Sequence, residues 1–195
     1  GEGMLAVGTW DGKITLVEAT TGRVRWAVQS YPGYQNRSVR CVAISPDGNF
    51  VASVCVSEEH WKLWDAASGV VCVTGARHDG TGACVCRVKE GGEKTSLDAG
   101  CPVQAHTSGV RVVAFSPCGQ KLATGGDDRA VILWNAQTGK AEEVMKGHTR
   151  KVSAVCFSAD GARLASGGWD KSIRVWDAAS GAMLRALEHG SCVEC

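Results

Sequence analysis

His148, Ser166 and Asp170 are the residue types that hydrolases combine into a base, a nucleophile and an orienting carboxylate. The same functions recur as His106, Thr124 and Asp128, and each set is followed by a tryptophan, Trp176 in one and Trp134 in the other. A catalytic triad also needs a pre-organised oxyanion site, and it normally occurs once. Two copies at constant spacing argue for architecture, so no catalytic residue is expected here.

Other chemistry is weaker still. The stretch Gly91-Gly92-Glu93-Lys94-Thr95-Ser96 is similar to a phosphate loop, but Glu93 stands where that motif requires glycine before Lys94. Cys84-Val85-Cys86 and Cys192-Val193-Glu194-Cys195 could each begin a zinc site, yet neither has a second pair at matching spacing. No cofactor and no metal are therefore expected. Ten cysteines are many for 195 residues, but Cys41, Cys55, Cys72 and Cys156 lie in apolar strand-like runs. There cysteine behaves as a small hydrophobe, and the chain reads as intracellular with mostly reduced, buried thiols. The sequon Asn36-Arg37-Ser38 then reads as chance. The cytoplasm is the expected compartment, with the nucleus left open.

The charge balance excludes some partners. Twenty-one basic and 20 acidic residues leave a net charge of +1, and no Lys/Arg cluster interrupts that balance. Neither nucleic acid nor a membrane surface is expected to bind. No apolar run approaches the roughly 20 residues of a membrane span, and the first residues lack the basic lead of a signal peptide. The chain does not begin at methionine, and Met4 falls within a strand-like run, so a piece of something longer is expected.

The elements that must position the duplicated set come from a repeat. The segment HTRKVSAVCFSADGARLASGGWDKSIRVWDAASG from His148 aligns with HTSGVRVVAFSPCGQKLATGGDDRAVILWNAQTG from His106 at an offset of 42. A third copy starts at Ser38 with one extra residue between Gly48 and Trp64, and a fourth starts at Leu5 without its opening strand. Within a unit, short apolar runs such as Val152 to Phe157, Leu164 to Ser166 and Ile173 to Trp176 alternate with turns rich in Gly, Asp and Ser. That pattern predicts four short strands in an antiparallel meander, the last from Met183 to Leu187.

These units resemble the WD-repeat family. Trp64-Asp65 and Trp176-Asp177 keep its dipeptide, Trp134-Asn135 varies it, and Gly147-His148 keeps its opening, of which Ala105-His106 and Glu188-His189 retain the histidine. The resemblance implies an all-β fold, a WD-repeat β-propeller. At this length a partial, open arc of about four to five four-stranded antiparallel blades is expected. The partition is a partial blade at 4–37, a blade at 38–77, a shortened or degenerate blade or insertion at 78–105, blades at 106–147 and 148–188, and the start of a further blade at 189–195. Within 78–105, the run GACVCRV is expected to be an opening strand.

The resemblance also implies that His106, Thr124, Asp128 and Trp134, like His148, Ser166, Asp170 and Trp176, form hydrogen-bonded structural tetrads. Each would tie the loop before the first strand to the turn between the second and third. The unit at Ser38 keeps Ser53 and Trp64 but has Glu58 in place of Asp, with Gln35 or a neighbour in place of His; the N-terminal unit keeps only Asp11. Propellers of this family generally serve as rigid platforms, so a non-enzymatic scaffold for protein or peptide partners, in a multi-protein complex, is implied. The turn between second and third strands presents Trp10, Asp127 and Trp169 at equivalent places, with Gly12, Arg129 and Lys171 two positions on, and the opening loop adds Arg150. Trp and Arg are frequent interface anchors, which makes Trp10, Asp127, Arg129, Arg150, Trp169 and Lys171 the expected contact residues. A bland alternative has Trp10 and Trp169 folded down on neighbouring blades. Because Trp-Asp-Ala-Ala-Ser-Gly is identical at 64–69 and 176–181, the second functional reading is a C-terminal WD-repeat sensor segment of a larger signalling NTPase.

Overall fold

The structure, a computed structural model, describes residues 3–30, 38–55, 61–78, 82–88, 94–96 and 106–194, with backbone alone for 74–78, 82–88 and 94–96. Among these residues every regular element is a strand. The first sheet holds β1 (Met4–Gly8), β2 (Lys13–Glu18) and β3 (Val24–Gln29). The second holds β4 (Val39–Ile44), β5 (Phe50–Cys55), β6 (Trp61–Asp65), β7 (Val71–His78), β8 (Gly82–Val88) and β9 (Lys94–Ser96). The third is β10 (Val110–Phe115), β11 (Lys121–Gly126), β12 (Ala130–Asn135) and β13 (Ala141–Lys146). The fourth is β14 (Val152–Phe157), β15 (Arg163–Gly168), β16 (Ser172–Asp177) and β17 (Met183–Glu188). Each sheet is an antiparallel meander in chain order.

The aspartate of the Trp-Asp pair has a local job. Asp177 Oδ1 accepts from the Ser180 N–H at 2.8 Å and from its hydroxyl at 2.8 Å, while Gly181 N–H donates to the Asp177 carbonyl at 2.9 Å. Asp65 does the same with Ser68 and Gly69. Asn135 takes the role in the third sheet, its Oδ1 accepting from Thr138 N–H at 2.9 Å. An amide oxygen closes this turn as a carboxylate does, which is why the dipeptide tolerates Trp-Asn.

One sheet cannot hide both faces, so the sheets stack. β1 lies against β4, β4 against β10, and β10 against β14. Three apolar layers fill the gaps: Ile14, Leu16 and Trp64 between the first and second sheets, Val54, Leu63, Leu122 and Trp134 between the second and third, and Leu133, Met145, Leu164 and Trp176 between the third and fourth. Trp61 and Trp134 meet across the second gap with ring centres 5.0 Å apart. A Cβ on Gly125 would lie 2.6 Å from a Val152 methyl, so glycine there lets the opening strand of the next sheet close in.

The expected arc of blades is present, with differences in strand number. The first sheet has three strands, as its missing opening strand requires. In the second, 82–88 is the strand β8, paired with β7 from Val73↔Arg87 to His78↔Gly82, and β9 adds a sixth strand. The opening strands β4 and β10 are neighbours, and β8 and β9 extend the far side of the sheet. Of the region 78–105, residues 79–81, 89–93 and 97–105 lie outside the described residues, as do Gln35, Asn36, Arg37, Glu58, Cys101 and Cys195. Nothing is described of the side chains of Cys84 and Cys86.

No described sheet lies over the outer faces of the first and fourth sheets, where Leu5, Val7, Leu184 and Leu187 are exposed. Leu187 is 46% exposed, whereas its counterpart Met145 is 2% exposed under the fourth sheet. Cys156, expected to be buried, is exposed for the same reason: its counterpart Ala114 packs into the layer between sheets three and four, and no described sheet covers Cys156.

Candidate functional site

In the third and fourth sheets the turn joining the second and third strands meets the loop that opens the sheet: Asp127 N–H donates to the Gly109 carbonyl at 2.7 Å and Trp169 N–H to the Lys151 carbonyl at 2.9 Å. In both sheets this edge is braced by a buried polar chain. Trp176 Nε1–H donates to Ser166 Oγ at 2.8 Å, Ser166 Oγ lies 2.8 Å from His148 Nε2, and His148 Nδ1 lies 2.9 Å from Asp170 Oδ2. Trp134, Thr124, His106 and Asp128 repeat it at 2.7, 2.7 and 2.9 Å. Since the indole can only donate, the hydroxyl passes its own proton to Nε2, and Nδ1–H faces the carboxylate. The direction of donation runs one way through all four groups.

The carboxylates have further donors. Thr149 N–H reaches Asp170 Oδ2 at 2.9 Å and Ser172 Oγ reaches Oδ1 at 2.8 Å; Thr107 N–H reaches Asp128 Oδ2 at 2.9 Å. Burial alone would raise both carboxyls. The hydrogen bonds from Thr149, Ser172 and His148 hold Asp170 below the ordinary 3.8, and those from His106, Thr107 and Ala130 do so for Asp128. His148 moves down from 6.5: burial disfavours the imidazolium, Asp170 opposes this, and the Arg174 charge adds to the lowering. Ser166 is buried, its hydroxyl engaged as both donor and acceptor. In the second sheet Trp64 Nε1–H donates to Ser53 Oγ at 2.8 Å. In the first, Asp11 accepts from Thr9 at the surface.

The turns differ in what they display. Trp10 is 90% exposed. Trp169, at the equivalent place, lies down: the Lys151 ammonium is 4.7 Å and the Arg111 guanidinium 5.8 Å from its ring centre. Asp127 pairs with Arg111 and stands 3.8 Å from Lys151, so four residues from two sheets form one cluster. Arg129, Arg150 and Lys171 are exposed on the same edge. Arg129 and Lys171 have φ of 68° and 61°, in the left-handed region where the first sheet uses Gly12 at 82°. Each non-glycine residue held there costs about 1 kcal/mol or more.

Arg111 and Lys151 are functional candidates that sequence reasoning missed. Arg111 sits at a bulge between Val110 and Val112, which turns its side chain out of the strand alternation toward the edge. The signal was available: a lone arginine inside the apolar run Val110 to Phe115.

The family pattern described as "WD domain, G-beta repeat" matches residues 26–65, 100–135 and 139–177, more than half of the chain. The chain belongs to the WD-repeat family. This WD-repeat chain is 46% identical over 43 residues to polyadenylation factor subunit 2 of Candida albicans, covering 22% of the chain and 8% of that protein. It is 48% identical over 40 residues to a chromatin assembly factor 1 subunit of Gallus gallus, covering 20% and 7%. A third relative, protein HIR1 of Yarrowia lipolytica, is 48% identical over 40 residues, covering 20% and 4%. The matched stretches are thus one repeat long and a small part of each relative. Among solved structures, U3-55K superposes with a TM-score of 0.66 at 25% identity, over 83% of this WD-repeat chain and 42% of U3-55K.

Proposed function

We propose that this chain is a non-enzymatic platform that holds protein or peptide partners, within a multi-protein assembly inside the cell, on the edge carrying Trp10, Asp127, Arg129, Arg150, Trp169 and Lys171. The observation that carries the reading is the pairing of a rigid brace with an exposed display. The tetrads consume the only hydroxyl–imidazole–carboxylate sets among the described residues in buried contacts; the turns and loops they brace leave Arg129, Arg150 and Lys171 exposed, and Trp10 stands exposed on the turn of the first sheet. Preorganised turns lower the ordering cost of binding, and an exposed tryptophan is the side chain best suited to anchor a partner. The names of the matched relatives, a polyadenylation factor subunit and a chromatin assembly factor subunit, fit a component of an assembly.

The test is quantitative co-purification of the tagged full-length protein and two sets of variants. Trp10→Ala, Arg129→Glu and Lys171→Glu alter this edge, while Gln120→Glu and Ala162→Glu alter the turns between first and second strands. Loss of a defined partner in the first set alone is the expected result; an unchanged partner set in every variant would overturn the proposal. The second reading, a sensor segment of a signalling NTPase, rests on the identical Trp-Asp-Ala-Ala-Ser-Gly turns at 64–69 and 176–181. A phosphate-binding domain in the same polypeptide would decide for it.

A further inference from the structure

The chain as a whole is nearly neutral, but folding sorts its charges on the edge of the third and fourth sheets. Every described acid in the turns and opening loops there has a partner. Asp128 and Asp170 are held by His106 and His148 with side chains 8% and 4% exposed, and Asp127 lies between Arg111 and Lys151. Arg129, Arg150 and Lys171 are exposed and make no ion pair among the described residues. Two of these three cations stand at positive φ, where the first sheet uses glycine, so a charged side chain is kept at a place that disfavours it.

A cavity of about 470 Å³ opens beside them, lined by Thr149, Asp170, Lys171, Ser172, Arg174, Glu188 and His189 among others, with the Asp170 carboxylate already taken up by His148, Thr149 and Ser172. Arg174 Nε is buried there without a hydrogen-bond partner, and its Nη1 meets only the Met183 sulfur, at 3.1 Å. A thioether is a weak acceptor, and the acceptor that suits a guanidinium best is a carboxylate. Glu188, at the end of β17, is exposed and makes no ion pair with Arg174 among the described residues.

We propose that this edge recognises an acidic protein segment, rich in Asp and Glu, that lies across Arg129, Arg150 and Lys171 and places one carboxylate in the cavity beside Arg174. The inference rests on the edge being the docking surface and adds the chemistry of what docks. Cations spaced over two sheets, with the acids Asp127 and Glu188 on the same edge, suit a peptide of discrete carboxylates better than a continuous phosphate backbone.

Fluorescence anisotropy tests it on the full-length protein, with a labelled Glu-Asp-Gly repeat peptide, its Gln-Asn-Gly counterpart and a labelled oligothymidylate of equal length. The acidic peptide alone should bind, more weakly as salt rises. Arg150→Glu with Lys171→Glu should weaken it about tenfold or more, and the volume-conserving Arg174→Met should weaken it with an unchanged urea midpoint. No binding of the acidic peptide, equal binding by the charge-reversed protein, or tighter binding of the oligothymidylate would each overturn the proposal. A natural partner lost on Trp10→Ala but retained by the charge-reversed protein would sink this inference and leave the docking edge standing.

Discussion

The Lys151 ammonium lies 4.7 Å from the centre of the Trp169 ring within the fourth sheet and 3.8 Å from Asp127 of the third, and the third sheet's Arg111 lies 5.8 Å from the same ring, so the two sheets are fastened edge to edge. Trp169 is therefore a joint between sheets as well as a surface residue. Trp10, at the matching position of the first sheet, has no such cover. The two tryptophans of one repeat position have separate roles.

Trp169→Ala is expected to cost about 1–2 kcal/mol, from lost cation–π contact and lost apolar burial. Trp10→Ala is expected to change stability by less than about 0.5 kcal/mol, as exposed substitutions do. Urea midpoints of the two variants measure this; equal shifts would show that Trp169 carries no load between sheets.

Thr124→Val keeps the side-chain shape but removes the hydroxyl that joins Trp134 to His106. Two buried polar groups then lose their partner, at a cost of about 2–4 kcal/mol, while Thr124→Ser should cost about 1 kcal/mol or less. Chemical denaturation of both variants decides it, and a mild Thr124→Val would contradict the one-way donation through the tetrad.

Stability should fall on acidification in two stages. His148 in the folded chain binds its proton below 6.5, so the unfolded imidazole protonates first and acid favours unfolding as pH falls from that value toward the folded one. Asp128 and Asp170 are lowered from 3.8, so their contribution is present above that value and is lost as pH falls through the lower folded values. His148→Gln should flatten the upper stage and leave the lower one. A pH series of urea midpoints reads both stages, and a stability that rose between neutral pH and about 5, below the ordinary imidazole range, would refute the assignment.

Lys171→Gly and Arg129→Gly relieve left-handed strain but loosen the unfolded chain, so stability should be unchanged or up to about 1 kcal/mol higher. Binding at the edge should fall in the same variants. Thermal melts beside partner capture would expose this trade, and clear destabilisation by either glycine would contradict it.

Gly125→Ala places a methyl 2.6 Å from Val152 and should drive the third and fourth sheets apart, at about 1–3 kcal/mol. Pairing it with Val152→Ala should recover part of the loss through the space the smaller side chain leaves. A double variant no more stable than the sum of the single losses would show that this contact does not set the spacing.

How far the sequence could be read follows from the range of the forces involved. Strands, turns and their order rest on neighbours in the chain, so the run Val152 to Phe157, the turn at Asp177 to Gly181 and the repeat unit itself were legible from residue types and period. Both tetrad sets could be named because the resemblance to the family implied them, and their recurrence at one spacing argued for architecture over catalysis. Which proton goes where could not, because that depends on the indole of Trp176 and the carboxylate of Asp170 converging on one buried site from different strands.

The rest was settled between sheets. Cys156 and Leu187 look like core residues in the sequence and are exposed, because no described sheet lies over them, while Ala114 and Met145 in the same register are covered. Arg111 became part of the edge through a bulge, Trp169 lay down because Arg111 and Lys151 came from two sheets to meet it, and β8 took β7 as its partner. By itself, the sequence determined the repeating β unit and the residues at its turns, since hydrogen bonds and chain geometry within a unit are local. Only the tertiary structure decided which of those residues are buried, which cations gather on one edge and which tryptophan stands free, since stacking brings together groups that the chain keeps far apart.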